Sequence, residues 1–437
     1  MWPKSLPKRP EQRRWILGAG LALIVLGFAG HGLGRILTGA TGDFVHFWRA
    51  AQGAWRGQNI YSAGLGRYVY PPLLAFLFQP LGLCSLTTAA TMWVLANIVL
   101  IFTAAAVAAQ EITGRWLRHL SARDFSIPWG IAAAAGLLAS DKIHIIFTQG
   151  QTDFVMLLGF ACILRWMERR PLLAGVIVGL TANIKYFSLI FVPYFLLKRN
   201  FRAALSSLAS FIFFLLVPAI EVGLQRNAQY LAIAGGGLVR MTGVRLHVQR
   251  LYIPKITWDH SVSVTSALFR LTRSHRWPDL LAIGLVLLVL ALMTTALFLV
   301  ARRHGVALFS GAPDSSSERA RAVASLEWAI LIAIVIAFSP QATARHMLLS
   351  FLLYALGAGL LFLEHSRVRR VLLLAALLGM AGATSFPPRG IGLDWILNGW
   401  RAIGGAGWCA VFLIIALVWI GSRSLPCSEL RAKKTAD

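Results

Sequence analysis

Thr41–Pro72 reads TGDFVHFWRAAQGAWRGQNIYSAGLGRYVYPP. It follows the first apolar run of the chain and opens on an acid, Asp43. As a helix, Asp43–Arg56 places Phe44, Phe47, Trp48, Ala51 and Trp55 on one face and His46, Arg49, Gln52 and Arg56 on the other. Such a helix is too short to cross a bilayer, and its Trp and Arg content suits the membrane interface. The glycine and polar residues of Gly57–Tyr61 end it. Tyr70-Pro71-Pro72 marks a second turn into a new apolar run. Two roles are open to Asp43: an N-cap that accepts orphan N–H groups, and a general base.

Working outward, the composition sets the class. Of 437 residues, 57% are hydrophobic and 14% charged, and the mean hydropathy is +0.67. Ordinary soluble domains do not have this balance. Apolar runs fall at about 15–37, 88–109, 128–140, 150–166, 171–184, 186–197, 202–222, 279–301, 323–338, 346–363, 368–385 and 403–422. They predict an all-α polytopic membrane protein with about twelve transmembrane helices, a single integral membrane domain over 1–437. The N-terminal run has no small-residue cleavage pattern before Asp43 and is read as the first span. Leu73–Leu83 is too short to cross and reads as re-entrant or interfacial. Leu172–Leu197 is either one tilted span or two short helices broken at Lys185.

The formal charge of +25 would point to nucleic acid in a soluble protein. Here the bases lie mostly in short loops between apolar runs, so membrane lipids and orientation account for them without nucleic acid. Lys4, Lys8, Arg9, Arg13 and Arg14, then Arg115, Arg118 and Arg123, Arg165, Arg169 and Arg170, Lys198, Arg199 and Arg202, Arg302 and Arg303, Arg319 and Arg321, Arg367, Arg369 and Arg370, and the tail Arg423, Arg431, Lys433 and Lys434 all fall on one face. By the positive-inside rule that face is cytoplasmic, as are both termini. The opposite, outer face collects the 43–72 loop, Asp141-Lys142-Ile143-His144, Gln151 with Asp153, the break at Lys185, Asp259-His260 in a long loop over 223–278, and Arg345-His346. The four cysteines, Cys84, Cys162, Cys409 and Cys427, have neither disulfide-framework nor metal-site spacing.

Taken together, several of these stretches resemble glycosyltransferase family 87, membrane enzymes of the GT-C type typified by polyprenol-phosphate-mannose-dependent α-mannosyltransferases. The matching residues are Asp43-Phe44 in an aromatic helix after the first span, Tyr70-Pro71-Pro72 with a run closing on Gln79-Pro80-Leu81, and Gly150-Gln151-Thr152-Asp153 leading into a span. Pro171-Leu172-Leu173-Ala174-Gly175, Gly179 and Lys185 follow, then Lys198-Arg199. The second half departs: Asp259-His260-Ser261 and Arg345-His346 stand where such proteins carry Asn-Gln-Ser and paired histidines. The resemblance implies a GT-C fold with an interfacial helix after the first span. It also implies transfer of a hexose, mannose in the typical member, from a polyprenyl-phosphate sugar donor to a lipid or glycan acceptor on the non-cytoplasmic face. Neither cofactor nor metal is implied.

The chemistry of that step sets residue roles. The phosphate leaves with its charge, which Lys, Arg or backbone N–H groups must hold. The acceptor hydroxyl gives its proton to one carboxylate on the far side of the sugar ring, giving inversion. By resemblance that carboxylate is Asp43. Lys185, an ionisable group between apolar runs, and Arg345 are the phosphate candidates; a snorkelling lysine is the plain alternative for the first. Gln151 and Asp153 either orient the sugar or Lys185, or start a capped helix. Tyr70 lines the site or is an interfacial tyrosine. His46 tunes Asp43 from one turn away or is a solvated face residue. His260 and His346 are candidates for acceptor or phosphate contact. The competing class is a transporter or flippase, which also needs midplane charges but calls for repeat symmetry; a related enzyme moving arabinose or aminoarabinose is a further alternative.

The alternation of basic and motif-bearing loops predicts that cysteines placed at Asp43, Gln151, His260 and His346 lie at the outer face. Labelling of position 43 by an impermeant reagent from the cytoplasmic side rejects this orientation.

Overall fold

The computed structural model describes residues 9–122, 124–241, 251–310, 317–340, 342–385 and 394–425. Lys4, Lys8, Arg123, Cys427, Arg431, Lys433, Lys434 and part of the 223–278 loop lie outside the described residues. Those that are described fold entirely into helices and connecting turns.

The first span, α1 (Pro10–Leu37), leads through a turn to α2 (Phe44–Trp55). A long helix, α3 (Leu86–Trp116), follows. Then come α4 (Ile127–Leu138) and α5 (Ser140–Gln149), bent by 67° to one another, and α6 (Asp153–Trp166). The chain continues through α7 (Pro171–Ala182), a 3-10 turn at Tyr186–Ile190, α8 (Phe191–Leu197) and α9 (Phe201–Leu216). The later long helices are α10 (Pro278–Arg303), α11 (Glu318–Phe338), α12 (Ser350–Leu363), α13 (Arg367–Gly382) and α14 (Gly405–Arg423). Every one of the twelve apolar runs lands on a helix. Seven helices are long and apolar enough to cross a membrane, eight with the bent α4–α5 pair counted as one span. The remaining runs are shorter: α6 has 14 residues, α13 has 16 and α7 has 12.

Burial separates the lipid face from the core. In α10 only 11% of the most apolar window is buried and leucines cover the outside, whereas in α11 the figure is 83%. An apolar helix with so little cover is stable only in lipid. α11 is the central post. Trp328 Nε1 donates to the Phe160 carbonyl at 3.0 Å, and Trp116 Nε1 donates to Ser325 Oγ at 2.8 Å.

The stretch Leu172–Leu197 is two helices, not one. α7 ends at Ala182, and Lys185 is extended (φ −139°, ψ 127°) before the 3-10 turn begins. Leu73–Leu83 does not cross: it forms two single-turn helices, Leu73–Leu77 and Gln79–Gly82. This segment carries α2. Trp48 Nε1 donates to the Cys84 carbonyl at 3.1 Å and Gln52 Nε2 to the Gly82 carbonyl at 3.3 Å. A Cβ on Gly82 would sit 3.1 Å from the α2 backbone at Ala51. α2 buries Phe44, Phe47, Ala50, Ala51 and Ala54, but Trp55, expected on the same face, is 60% exposed. The last turn of α2 has run past its support.

The basic loops gather at one end of the bundle. Arg13 pairs with Asp124 at 2.8 Å, Arg115 with Glu168 at 2.8 Å, and Arg118 with Glu318 at 3.2 Å. Glu327, wholly buried near this end, accepts from Lys198 Nζ at 3.1 Å and from the Tyr194 hydroxyl at 3.0 Å. These bonds join the ends of α1, α3, α6, α8 and α11 that the sequence assigns to a single face. The opposite end is where Asp43, Gln151 and Lys185 lie.

α7 packs on α9 through Gly175 and Gly179. A Cβ on Gly179 would meet Ser210 Oγ at 2.4 Å and the Phe211 nitrogen at 2.5 Å; one on Gly175 would meet the Ala203 carbonyl oxygen at 2.6 Å. Backbones this close are the small-residue packing of membrane helices. Gly179→Val is therefore expected to cost about 1–3 kcal/mol by overpacking, read as a lower unfolding temperature in detergent. Gly284, whose Cβ would meet nothing, should tolerate alanine.

Candidate active site

The site is assembled where two glycine turns press together. α5 ends at Gly150, in the left-handed region at φ 63°, where a Cβ would clash with Phe44 Cβ at 2.6 Å. Gly42, at φ +58°, comes equally near: a Cβ there would lie 2.6 Å from Gln149 Cα. Only glycine takes this conformation and this approach at little cost. The Asp43 N–H donates to the Gln149 carbonyl at 2.9 Å, and Trp93 Nε1 to the Gly150 carbonyl at 3.1 Å. The start of α2 and the start of α6 are thus fixed edge to edge.

Asp43 stands at the N-cap position of α2 but does not cap. Its backbone is already helical (φ −76°, ψ −14°), and its side chain makes no capping bond. Asp43 Oδ2 instead accepts from Gln151 Nε2 at 2.5 Å and from Arg345 Nη1 at 2.7 Å. The Asp43 side chain is 44% exposed and that of Arg345 28% exposed, so the pair sits at a surface that remains open. No capping bond forms: the carboxylate faces a charged donor, Arg345, and a neutral one, Gln151.

Lys185 is not a snorkelling residue. It is 8% exposed, and its Nζ lies 2.7 Å from Asp153 Oδ1. Asp153 is the first residue of α6, with Thr152 at the cap position making no side-chain bond. The acid is there for the lysine. Lys185 also lies within electrostatic reach of Arg345 and Asp43, so the two ion pairs form one neighbourhood. Asp153 Oδ2 and Arg345 Nε are buried without a partner among the described residues.

Tyr70 is buried, 7% exposed, and its hydroxyl donates to Gln151 Oε1 at 2.9 Å while its ring meets Phe47 edge-on at 5.1 Å. The reading of an interfacial tyrosine gives way, because Tyr61 and Tyr68 wrap the same turn. The Tyr61 hydroxyl donates to the Tyr70 carbonyl at 3.2 Å, and the Tyr68 hydroxyl to the Pro71 carbonyl at 2.8 Å. These two tyrosines were not singled out from the sequence, although the alternation Tyr68-Val69-Tyr70 before two prolines was a usable signal.

His346 packs edge-on against Phe187 at 5.4 Å, and its Nδ1 accepts the Thr343 N–H at 3.1 Å. It lies near both Lys185 and Arg345. His46 has no side-chain bond to Asp43; burial holds its imidazole below its ordinary range, with Asp43 pulling the other way, and Nδ1 is unpaired among the described residues. His260 is not joined to the cluster by any hydrogen bond or ion pair among the described residues. It is exposed, bonds Asp259 at 2.8 Å and stacks on Trp258 at 5.1 Å. Its loop is nonetheless tied to the segment before Arg345, since the Val262 N–H donates to the Ala342 carbonyl at 2.7 Å. Asp141, at the start of α5, is a fastener. It pairs with the buried Lys142 at 2.8 Å and accepts from Thr384 and Ser385 beyond α13.

Removing one partner of a buried pair leaves an uncompensated charge, which typically costs about 3–5 kcal/mol. Lys185→Ala should therefore lower stability by that order in thermal unfolding, and Asp153→Asn in the same chain should recover part of it. A Lys185→Ala protein as stable as wild type would show that the pair does not form.

The model for glycosyltransferase family 87 matches residues 68–312. The match leaves Asp43 ahead of it and Arg345 behind it. Among curated proteins, the chain is 28% identical over 171 residues to the polyprenol-phosphate-mannose-dependent alpha-(1-2)-phosphatidylinositol pentamannoside mannosyltransferase of Mycolicibacterium smegmatis, covering 38% of each. It is 25% identical over 205 residues to the polyprenol-phosphate-mannose-dependent alpha-(1-2)-phosphatidylinositol mannoside mannosyltransferase of Mycobacterium tuberculosis, covering 45% of this chain and 48% of that one. The matched part thus spans between 38% and 48% of the length of these relatives. No solved structure matches. With its seven or more apolar helices and a family match over more than half its length, the chain belongs to glycosyltransferase family 87.

Proposed function

We propose that the chain is a membrane glycosyltransferase that moves a mannose from a polyprenyl-phosphate carrier onto a hydroxyl of a lipid or glycan acceptor, at the non-cytoplasmic face. The observation that carries the reading is the fate of Asp43. A carboxylate at a helix start with no capping bond, open to the surface and gripped through one oxygen by Arg345 and Gln151, is a group held for chemistry. The relatives' names supply the donor class, polyprenol-phosphate-mannose, and acceptors of the phosphatidylinositol mannoside kind. Sidedness is supported by the gathering of the basic loops at the other end of the bundle.

In this reading the acceptor oxygen attacks the anomeric carbon from the side opposite the carrier. The bond from that carbon to the phosphate oxygen breaks, and the pair of electrons leaves with polyprenyl phosphate. The hydroxyl proton passes to Asp43. Among the described residues, Lys185 and Arg345 have N–H donors beyond those given to Asp153 and Asp43, the buried Arg345 Nε among them. These are the groups suited to the departing charge. His346, within electrostatic reach of both, is a further candidate for phosphate or acceptor contact, and His260 is a candidate for the acceptor.

The test is transfer from labelled polyprenyl-phosphate mannose, by protein purified into lipid nanodiscs, to phosphatidylinositol mannosides or a cell-envelope extract. Asp43→Asn keeps the shape, and its amide oxygen can still accept from Gln151 and Arg345, but it cannot take a proton. It should leave the protein folded and donor-binding while lowering transfer by about a hundredfold to ten-thousandfold. Near wild-type turnover in Asp43→Asn would remove the base from this position.

A further inference from the structure

We infer that Tyr70 is a positioning residue for Asp43, acting through the side-chain amide of Gln151, and that the two together leave Asp43 Oδ1 as the oxygen that receives the acceptor's proton. The inference rests on Asp43 being the base.

A carboxylate accepts hydrogen bonds and donates none. Gln151 can therefore satisfy Asp43 only with its NH2 group, and Nε2 does lie 2.5 Å from Oδ2. That choice turns the amide oxygen the other way. Gln151 is 1% exposed, so its Oε1 has no water to fall back on and needs a protein donor. The Tyr70 hydroxyl, at 2.9 Å, is that donor. Without it, Oε1 would be left buried and unpaired, and the amide would be held only by its Nε2 bond to the carboxylate, free to tilt away from the geometry that Asp43 needs.

The tyrosine is itself held on every side. Its ring meets Phe47 at 5.1 Å and Tyr68 at 5.9 Å, and its backbone carbonyl is bonded by Tyr61. Burial pushes the phenol well above its ordinary range, so it stays a donor at any working pH. Arg345 Nη1 falls on the same carboxylate oxygen as Gln151. Both donors thus share Oδ2, and among the described residues no hydrogen bond reaches Oδ1. A base whose lone pairs are all engaged cannot take a proton; one with a single free oxygen takes it in a fixed direction.

The experiment uses the full chain in lipid nanodiscs with radiolabelled polyprenyl-phosphate mannose, phosphatidylinositol mannosides as acceptor, and loss of label from the donor as a second readout. Tyr70→Phe keeps the ring and removes the hydroxyl. It should lower kcat about tenfold, the loss of one hydrogen bond, with the donor KM unchanged. Gln151→Met should lower kcat at least as much. The double variant should be no worse than Gln151→Met alone, since the tyrosine acts only through the amide. A raised donor KM with kcat preserved, or effects that multiply in the double variant, would overturn the proposal, because Tyr70 would then touch substrate or act independently. Infrared difference spectra give a readout without turnover. The carboxylate bands of Asp43, isolated by subtracting the Asp43→Asn spectrum, should shift in Tyr70→Phe; bands left in place would also overturn it. Failure of the base assignment is seen separately, as turnover in Asp43→Asn.

Discussion

Asp43 needs donors, because a carboxylate at the end of a helix bundle is only partly hydrated, and the nearest strong donor is on a segment three hundred residues away in sequence. The ion pair to Arg345 at 2.7 Å therefore constrains the whole molecule. To bring these two together, α1 must deliver the chain to the same end of the bundle as the close of α11. The connection after α11 must also fold back before α12 begins. The second pair, Lys185 with Asp153 at 2.7 Å, obeys the same rule in a drier place. Two acids and two bases thus compensate one another, so no group carries an unpaired charge into a low-dielectric region, where the cost would be several kcal/mol.

Compensation of this kind needs backbones to approach closely, and that is the work of the glycines. Gly42 and Gly150 let the α2 and α6 starts share an edge, which sets Asp43 beside Gln151. Gly175 and Gly179 let α7 lie against α9. The break that follows α7 then falls where Lys185 can turn inward. Gly82 seats α2 on the short Leu73–Leu83 segment. The motif residues in this chain are therefore of two sorts: a few carry charge, and the rest remove the steric obstacles to placing it.

The two ends of the bundle are chemically unlike. One end has many arginines and lysines, several tied to Glu168, Glu318 and Glu327. The other carries arginines too, Arg49, Arg56, Arg67 and Arg270 among them, but also the Asp43–Arg345 and Lys185–Asp153 pairs, with polar atoms such as Asp153 Oδ2 and Arg345 Nε left unpaired among the described residues. Buried polar atoms without partners are costly, and these two belong to the two ion pairs on which the proposed site rests.

Helix positions were legible in the sequence because a lipid-facing or core-facing helix must be apolar along its length, and every one of the twelve runs did become a helix. A break at Lys185 was one of two readings the sequence left open, since a lysine inside an apolar run demands an explanation but either a break or a tilted span supplies one. The side-chain roles were not. Asp43 as cap and Asp43 as base look the same in a one-dimensional string. Whether Asp43 caps depends on whether Gln151 and Arg345, 108 and 302 residues away, arrive to take its oxygen. Tyr70 stayed open between a site-lining and an interfacial residue for the same reason: its hydroxyl partner is 81 residues away. Trp55 was expected inside and is outside because helical periodicity gives a face but not how far along the helix the support extends. Composition and periodicity by themselves determined a helical membrane protein and the segments of it that carry charge. Which charges meet was decided by packing, because an ion pair is a property of distance in space and the sequence records only distance along the chain.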